Sequence, residues 1–108
     1  MLHRDKYSIE VTDDDIDRAM RQERYNPLQL AISRTTGKAP EEIDVRQYGV
    51  FISVYEYADF LKYTFDDDCL ETIKDELAAW EDWHNGPDLD TALYMEPFTC
   101  NLTLERSF

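Results

Sequence analysis

Cysteine is nearly absent from this 108-residue chain, and its two copies, Cys69 and Cys100, form neither a disulfide framework nor a C-x-x-C motif. Both are expected to be reduced and packed. Cations are scarce too: 11 Lys and Arg stand against 24 Asp and Glu, for a net charge of -13. Such a field repels phosphate backbones and anionic headgroups, which argues against direct binding to nucleic acid or membrane. No run of about 18 apolar residues exists to span a bilayer. The start, Met1 to Lys6, leads into polar, acidic sequence rather than an apolar signal core, so the expected location is the cytoplasm.

Chemistry-bearing motifs are equally thin. His3 and His84 lie far apart, and no His/Cys set has zinc spacing. A calcium loop beginning at Asp66 would place Glu71 at the sixth position, where the turn requires glycine. There is no G-x-S-x-G, no P-loop and no conspicuous Cys–His pairing. Paired carboxylates abound, as they must at this composition, and so single out no acid–base couple. No catalytic residue, cofactor or metal is expected, and the chain reads as a non-enzyme.

What is present is enough to fold. Hydrophobic residues make up 43% of a length that suits one core, so residues 1–108 are read as a single α+β domain. Tyr7 to Val11 alternates as a half-buried strand. Thr12 and Asp15 then resemble a capping box, flanked by the staple pair Val11 and Ile16, with Asp13, Asp14 and Asp15 in the positively polarised first turn. Asn26-Pro27 restarts the helix, Leu28, Ala31, Ile32 and Thr35 point inward, and Gly37 closes it. Ile43 and Val45, then Tyr48 to Val54, alternate again, with Gly49 interrupting as a bulge or a sharp twist would. Tyr55 to Asp59 reads as a connection, Phe60 to Phe65 as a third strand, Asp88 to Tyr94 as a loop and Phe98 to Leu104 as a last strand.

Between the third and last strands, Leu70, Ile73, Leu77, Trp80 and His84 are spaced 3, 4, 3 and 4, the mark of an amphipathic helix ended by Asn85-Gly86-Pro87. Leu77 should then be fully buried against the sheet. The order β-α-β-β-α-β implies a small sandwich, a mostly antiparallel sheet with two helical segments on one face, for which a ferredoxin-like topology is the leading arrangement.

Charge is divided unevenly. Residues 1–54 hold 8 basic and 10 acidic side chains, whereas residues 55–108 hold 3 and 14. A helix over Asp68 to His84 would be about 25 Å long. Its outer side carries Glu71, Asp75 and Asp82, and the helix as a whole holds Asp68, Glu71, Asp75, Glu76, Glu81 and Asp82, a density comparable to the phosphates on one face of a duplex. A solvated helix face is the ordinary explanation, yet solubility is served by a net charge of about 2–8 in magnitude. The excess favours a partner with a basic surface. The residues expected to meet it are Asp67, Asp68, Glu71, Asp75, Glu76, Glu81, Asp82, Asp88 and Asp90, with Trp83 as an aromatic anchor. Trp80 fits the core stripe instead.

The series Val11-Thr12-x-x-Asp15-Ile16, Pro27-Leu28-x-Leu30-Ala31, Tyr48-x-Val50 and Glu96-Pro97-Phe98 resembles a group of short acidic accessory proteins of bacteriophages and prophages. An acidic, insertion-like stretch around Trp80 to Tyr94 departs from that pattern. The resemblance implies an inhibitor of host defence, of the anti-CRISPR or anti-restriction kind, and carries over no catalytic residue. The expected function is therefore a non-enzymatic inhibitor whose acidic, nucleic-acid-mimicking surface blocks the basic nucleic-acid-binding site of a host defence protein. The alternative is a structural or assembly module of a phage with a solvated acidic face.

Overall fold

Alternation in Lys6–Val11 builds β1, which buries Ile9 and Val11 while Lys6, Ser8 and Glu10 stay exposed. The chain enters α1 (Asp13–Gln22) through the capping box that its spacing implies. The Thr12 hydroxyl accepts the Asp15 N–H at 3.2 Å, and the Asp15 carboxylate accepts the Thr12 N–H at 3.0 Å. The staple residues Val11 and Ile16 both join the core. Helix α2 (Pro27–Thr36) starts afresh: the Asn26 side chain accepts the Gln29 N–H at 2.7 Å, and Pro27 takes a position where no N–H is needed. It ends at Gly37, whose φ of 78° suits a left-handed cap and whose N–H reaches the Ser33 carbonyl at 2.9 Å. Leu28, Leu30, Ala31 and Ile32 are buried, but Thr35 is exposed, its hydroxyl turned back onto the Ala31 carbonyl.

The computed structural model describes residues 5–22, 24–54, 59–85 and 95–105. After a 3-10 turn at Pro40–Glu42, β2 (Ile43–Val45) and β3 (Gly49–Val54) form an antiparallel hairpin, closed by the Arg46 N–H on the Gly49 carbonyl at 2.8 Å. Gly49 is thus no bulge in one long strand; it opens β3. A Cβ there would run into the Tyr63 carbonyl oxygen of the neighbouring strand, so only glycine allows this approach. β4 (Asp59–Phe65), a 3-10 turn (Asp67–Cys69), α3 (Leu70–Asn85) and β5 (Phe98–Leu104) complete the order. Of the expected connection at Tyr55 to Asp59, residues 55–58 lie outside the described residues, as does the loop at 88–94, and Asp59 already belongs to β4.

The fold is α+β, with three α-helices among the described residues, the first expected helical segment being the two helices α1 and α2, and a curled antiparallel sheet of five strands where the expected order held four. Strand order is β1-β5-β4-β3-β2. A ferredoxin-like sheet would hold the first strand in its interior; here β1 is an edge and β5 inserts between it and β4, pairing Ile9 with Cys100 and Phe65 with Leu102. Local periodicity says nothing of such long-range pairing. The curl lets α2 pack against β1 and β2, the two edge strands. One face of the sheet supplies Ile9, Val50, Ile52, Tyr63, Cys100 and Leu102 to a single core that also takes Ile32 from α2 and Ile73 from α3. Burial pushes the Cys100 thiol and the Tyr63 phenol up to about 12, so both stay protonated at neutral pH. On the other face, Lys62 lies over the Phe51 and Tyr48 rings at 5.9 and 6.0 Å and pairs with Glu105 at 3.0 Å.

Candidate functional site: the acidic helix and its cleft

Helix α3 is fixed at two points. The Asp66 N–H reaches the Asn101 carbonyl of β5 at 3.3 Å, and Asp66 in turn accepts the Cys69 N–H at 2.9 Å, which sets the 3-10 turn that leads into the helix. Further along, the Glu76 carboxylate accepts the Glu96 N–H at 3.0 Å. These ties fix which side of the helix meets the core. Ile73, Ala79 and Trp83 are buried, with Glu76 and Trp80 half-buried between them.

That buried arc is rotated from the stripe of Leu70, Leu77 and His84 that the sequence spacing favours. Leu77 is half-buried rather than enclosed, and His84 is exposed, stacked on Trp80 with ring centroids 5.6 Å apart. Trp83 is 8% exposed and packs on Trp80 at 5.2 Å, so it is a core residue and not an exposed anchor. Trp80, expected in the core stripe, packs against the core from its half-buried edge. The larger apolar area of Trp83 wins burial over that of His84, one position further along, and draws the whole helix round.

The outer side of α3 carries the acids as expected. Glu71, Asp75, Glu81 and Asp82 are exposed, and Asp67 and Asp68 extend the row through the preceding turn. At ~100° per residue, Glu71, Asp75 and Asp82 fall within about 40° of one another around the axis, along ~16 Å of helix. None of these acids makes an ion pair among the described residues, and exposed Lys74 makes none either. Glu76 stands apart from the row. Its half-buried carboxyl is raised above the usual carboxylate range, mainly by desolvation, which outweighs the Glu96 hydrogen bond. Asp88 and Asp90 lie outside the described residues.

A cleft of about 570 Å3 runs beside this row, between α3 and the turn joining β2 to β3. Leu77, Trp80, Glu81 and His84 line one wall, and Arg46 and Gln47 the other. Arg46 is already neutralised, since its Nε and Nη2 both donate to one Asp44 oxygen, at 3.0 and 2.9 Å. A narrower apolar recess continues past Trp80 toward Pro27, Leu28 and Phe98, with Glu76 on its wall. The sequence reading missed this cleft, because Arg46 and Trp80 are brought together only by the hairpin and the packing of α3.

Among the described residues no group of three or more His, Cys, Asp or Glu is arranged to hold a metal ion, the aspartates at 66–68 included. No helix among them is long and apolar enough to cross a membrane. No protein-family profile matches this chain, and neither a curated protein nor a solved structure shows significant similarity to it.

Proposed function

We propose that this protein is a non-enzymatic inhibitor that uses the acidic face of α3 to occupy a basic, nucleic-acid-binding surface on another protein. The observation that carries this reading is the unpaired row Glu71, Asp75 and Asp82 on the side of α3 turned away from the core. Its electrostatics favour it twice. Apart from Glu71, which suits the first turn of α3, unpaired carboxylates in a chain of net charge -13 repel one another and add little to folding, and the same charges steer a cationic surface toward the helix and hold it in register. The likeness of the sequence to phage accessory proteins narrows the partner to a host defence protein, a nuclease of the restriction or CRISPR type, in the bacterial cytoplasm. Trp83 and Glu76, both within the buried arc of α3, play no part in the contact.

The experiment is a tagged pull-down from bacterial lysate with two baits, the wild type and the E71K/D75K/D82K variant, read by mass spectrometry. Nucleic-acid-binding proteins retained by the wild type and lost by the variant are expected, and addition of the wild type should release them from DNA or RNA. Identical prey with both baits, or copurification with virion components alone, would put the acidic face outside the inhibitory reading.

A further inference from the structure

The cleft beside the acidic row has a chemistry of its own. Two carboxylates border it and its apolar recess, Glu81 and Glu76, and neither has a cationic partner among the described residues. Between them stands the Trp80 ring, itself stacked with His84. The one resident cation, Arg46, is held by Asp44, which leaves that pair neutral overall. Gln47 and Asn85 bring amide oxygens to the walls, and neither side chain makes a hydrogen bond among the described residues. An aromatic surface, two unneutralised carboxylates and free amide acceptors form an environment for an organic cation. The net charge of the chain adds to it, whereas an anionic ligand would have to enter against that charge.

We infer that the cleft between α3 and the β2–β3 turn receives an arginine side chain of the basic partner, stacked against the Trp80–His84 pair and bonded to Glu81. This rests on the proposed function: Asn85 lines the cleft one turn from Asp82, at the C-terminal end of the row, so a basic surface seated there brings a neighbouring side chain round to the opening, where Glu81 stands. Arginine fits better than lysine. Its planar guanidinium lies along aromatic rings while its in-plane N–H groups reach carboxylate and amide oxygens, and it sheds water more readily than a compact ammonium. Its methylene stem can run over Leu77 at the cleft wall.

The test uses the full chain with two probes, a hexa-arginine and a hexa-lysine peptide, followed by calorimetry and by NMR of the indole N–H signals, assigned with Trp80→Phe. Hexa-arginine should bind several-fold more tightly than hexa-lysine and should move the Trp80 signal while leaving that of buried Trp83 in place. Glu81→Gln, an exposed change that leaves the fold intact, should weaken hexa-arginine binding on the order of tenfold and bring the two peptides close together. Trp80→Leu, checked for folding by circular dichroism, should remove the arginine preference. Equal affinities for the two peptides in the wild type, both lost in E71K/D75K/D82K and unaffected by Glu81→Gln, would overturn the cleft while leaving the acidic row as the interface. Failure of both peptides to bind at low salt would overturn the cleft and the acidic row together.

Discussion

Acidic residues on the two sides of this molecule live in opposite circumstances. In the first half several are used in the fold: Asp15 is 1% exposed, bonded to Thr12 and to Arg34 at 2.8 Å, Asp17 pairs with Arg21, and Asp44 with Arg46, while Glu10, Asp13 and Asp14 stay exposed. Glu41 accepts the Tyr25 hydroxyl at 2.9 Å. Along α3 every acid but Glu76 stands on the surface, and none has a cation among the described residues; Glu76 and the apolar side chains tie the helix down. The same residue types therefore serve architecture in one region and leave a bare field in the other. Charge that contributes nothing locally is the kind a partner can use.

The largest expected effect lies in the core that both regions share. Ile73 is fully buried at the point where α3 meets the sheet, so Ile73→Ala should cost about 2–5 kcal/mol by lost transfer energy and a residual cavity. Leu77→Ala, which opens only the wall of the cleft, should cost clearly less. Denaturant midpoints for the two variants rank them, and the reverse order would mean that the helix is rotated back to its sequence stripe.

Next in size is Asp15. Its replacement by Ala strands the Thr12 N–H and removes the Arg34 bond, an expected loss of about 2 kcal/mol. Burial works against its charge, but the Arg34 hydrogen bond, with those from Thr12, holds the carboxyl below the usual carboxylate range. A depressed folded value means stability that is complete above the unfolded value, near 3.8, and is lost as pH falls through the folded one. Asp15→Asn should therefore flatten the acid limb of the stability profile. An unchanged limb would show that the pair contributes nothing.

Glu76 should behave in the opposite sense. With its folded value raised above 4.5, its charge costs stability at neutral pH, and that cost fades once the pH falls below the unfolded value. Glu76→Gln keeps an oxygen for the Glu96 N–H and should raise the melting midpoint at pH 7 but hardly at pH 4. Destabilisation at pH 7 would contradict the burial argument. The smallest expected effect on folding belongs to E71K/D75K/D82K, within about 0.5 kcal/mol per exposed site. A large loss of stability there would turn the acidic row into a structural feature like Asp15.

Those contrasts also mark what was legible in the sequence. Thr12 and Asp15 announce their cap because the two partners lie three residues apart, and Asn26-Pro27 and Gly37 mark their helix ends by backbone chemistry that acts locally. Arg34, 19 residues from Asp15, carries no such sign, since only the docking of α2 beside α1 brings it there. Gly49 was visible as an anomaly, but a bulge and a close approach to Tyr63 leave the same trace in one strand. For α3 the period was right and the phase was wrong. Glu76 lies within the buried arc, where its charge disguises the face, and only the Glu96 bond and the bulk of Trp83 decide the rotation. The acids at 71, 75 and 82 were legible because they oppose either phase.

The central claim is that the bare row on α3 is an interface, and a binding isotherm tests it most directly. Wild type and E71K/D75K/D82K are titrated against the nucleic-acid-binding protein captured by the wild type, at physiological salt and at 1 M, where the Debye length shrinks from about 8 to about 3 Å. Wild-type affinity should fall steeply with salt, and the variant, whose net charge changes from -13 to -7 by three Glu or Asp to Lys exchanges, should bind weakly at both. Equal affinities in all four titrations, with both proteins folded, would contradict the account and leave the charge of α3 a matter of solubility.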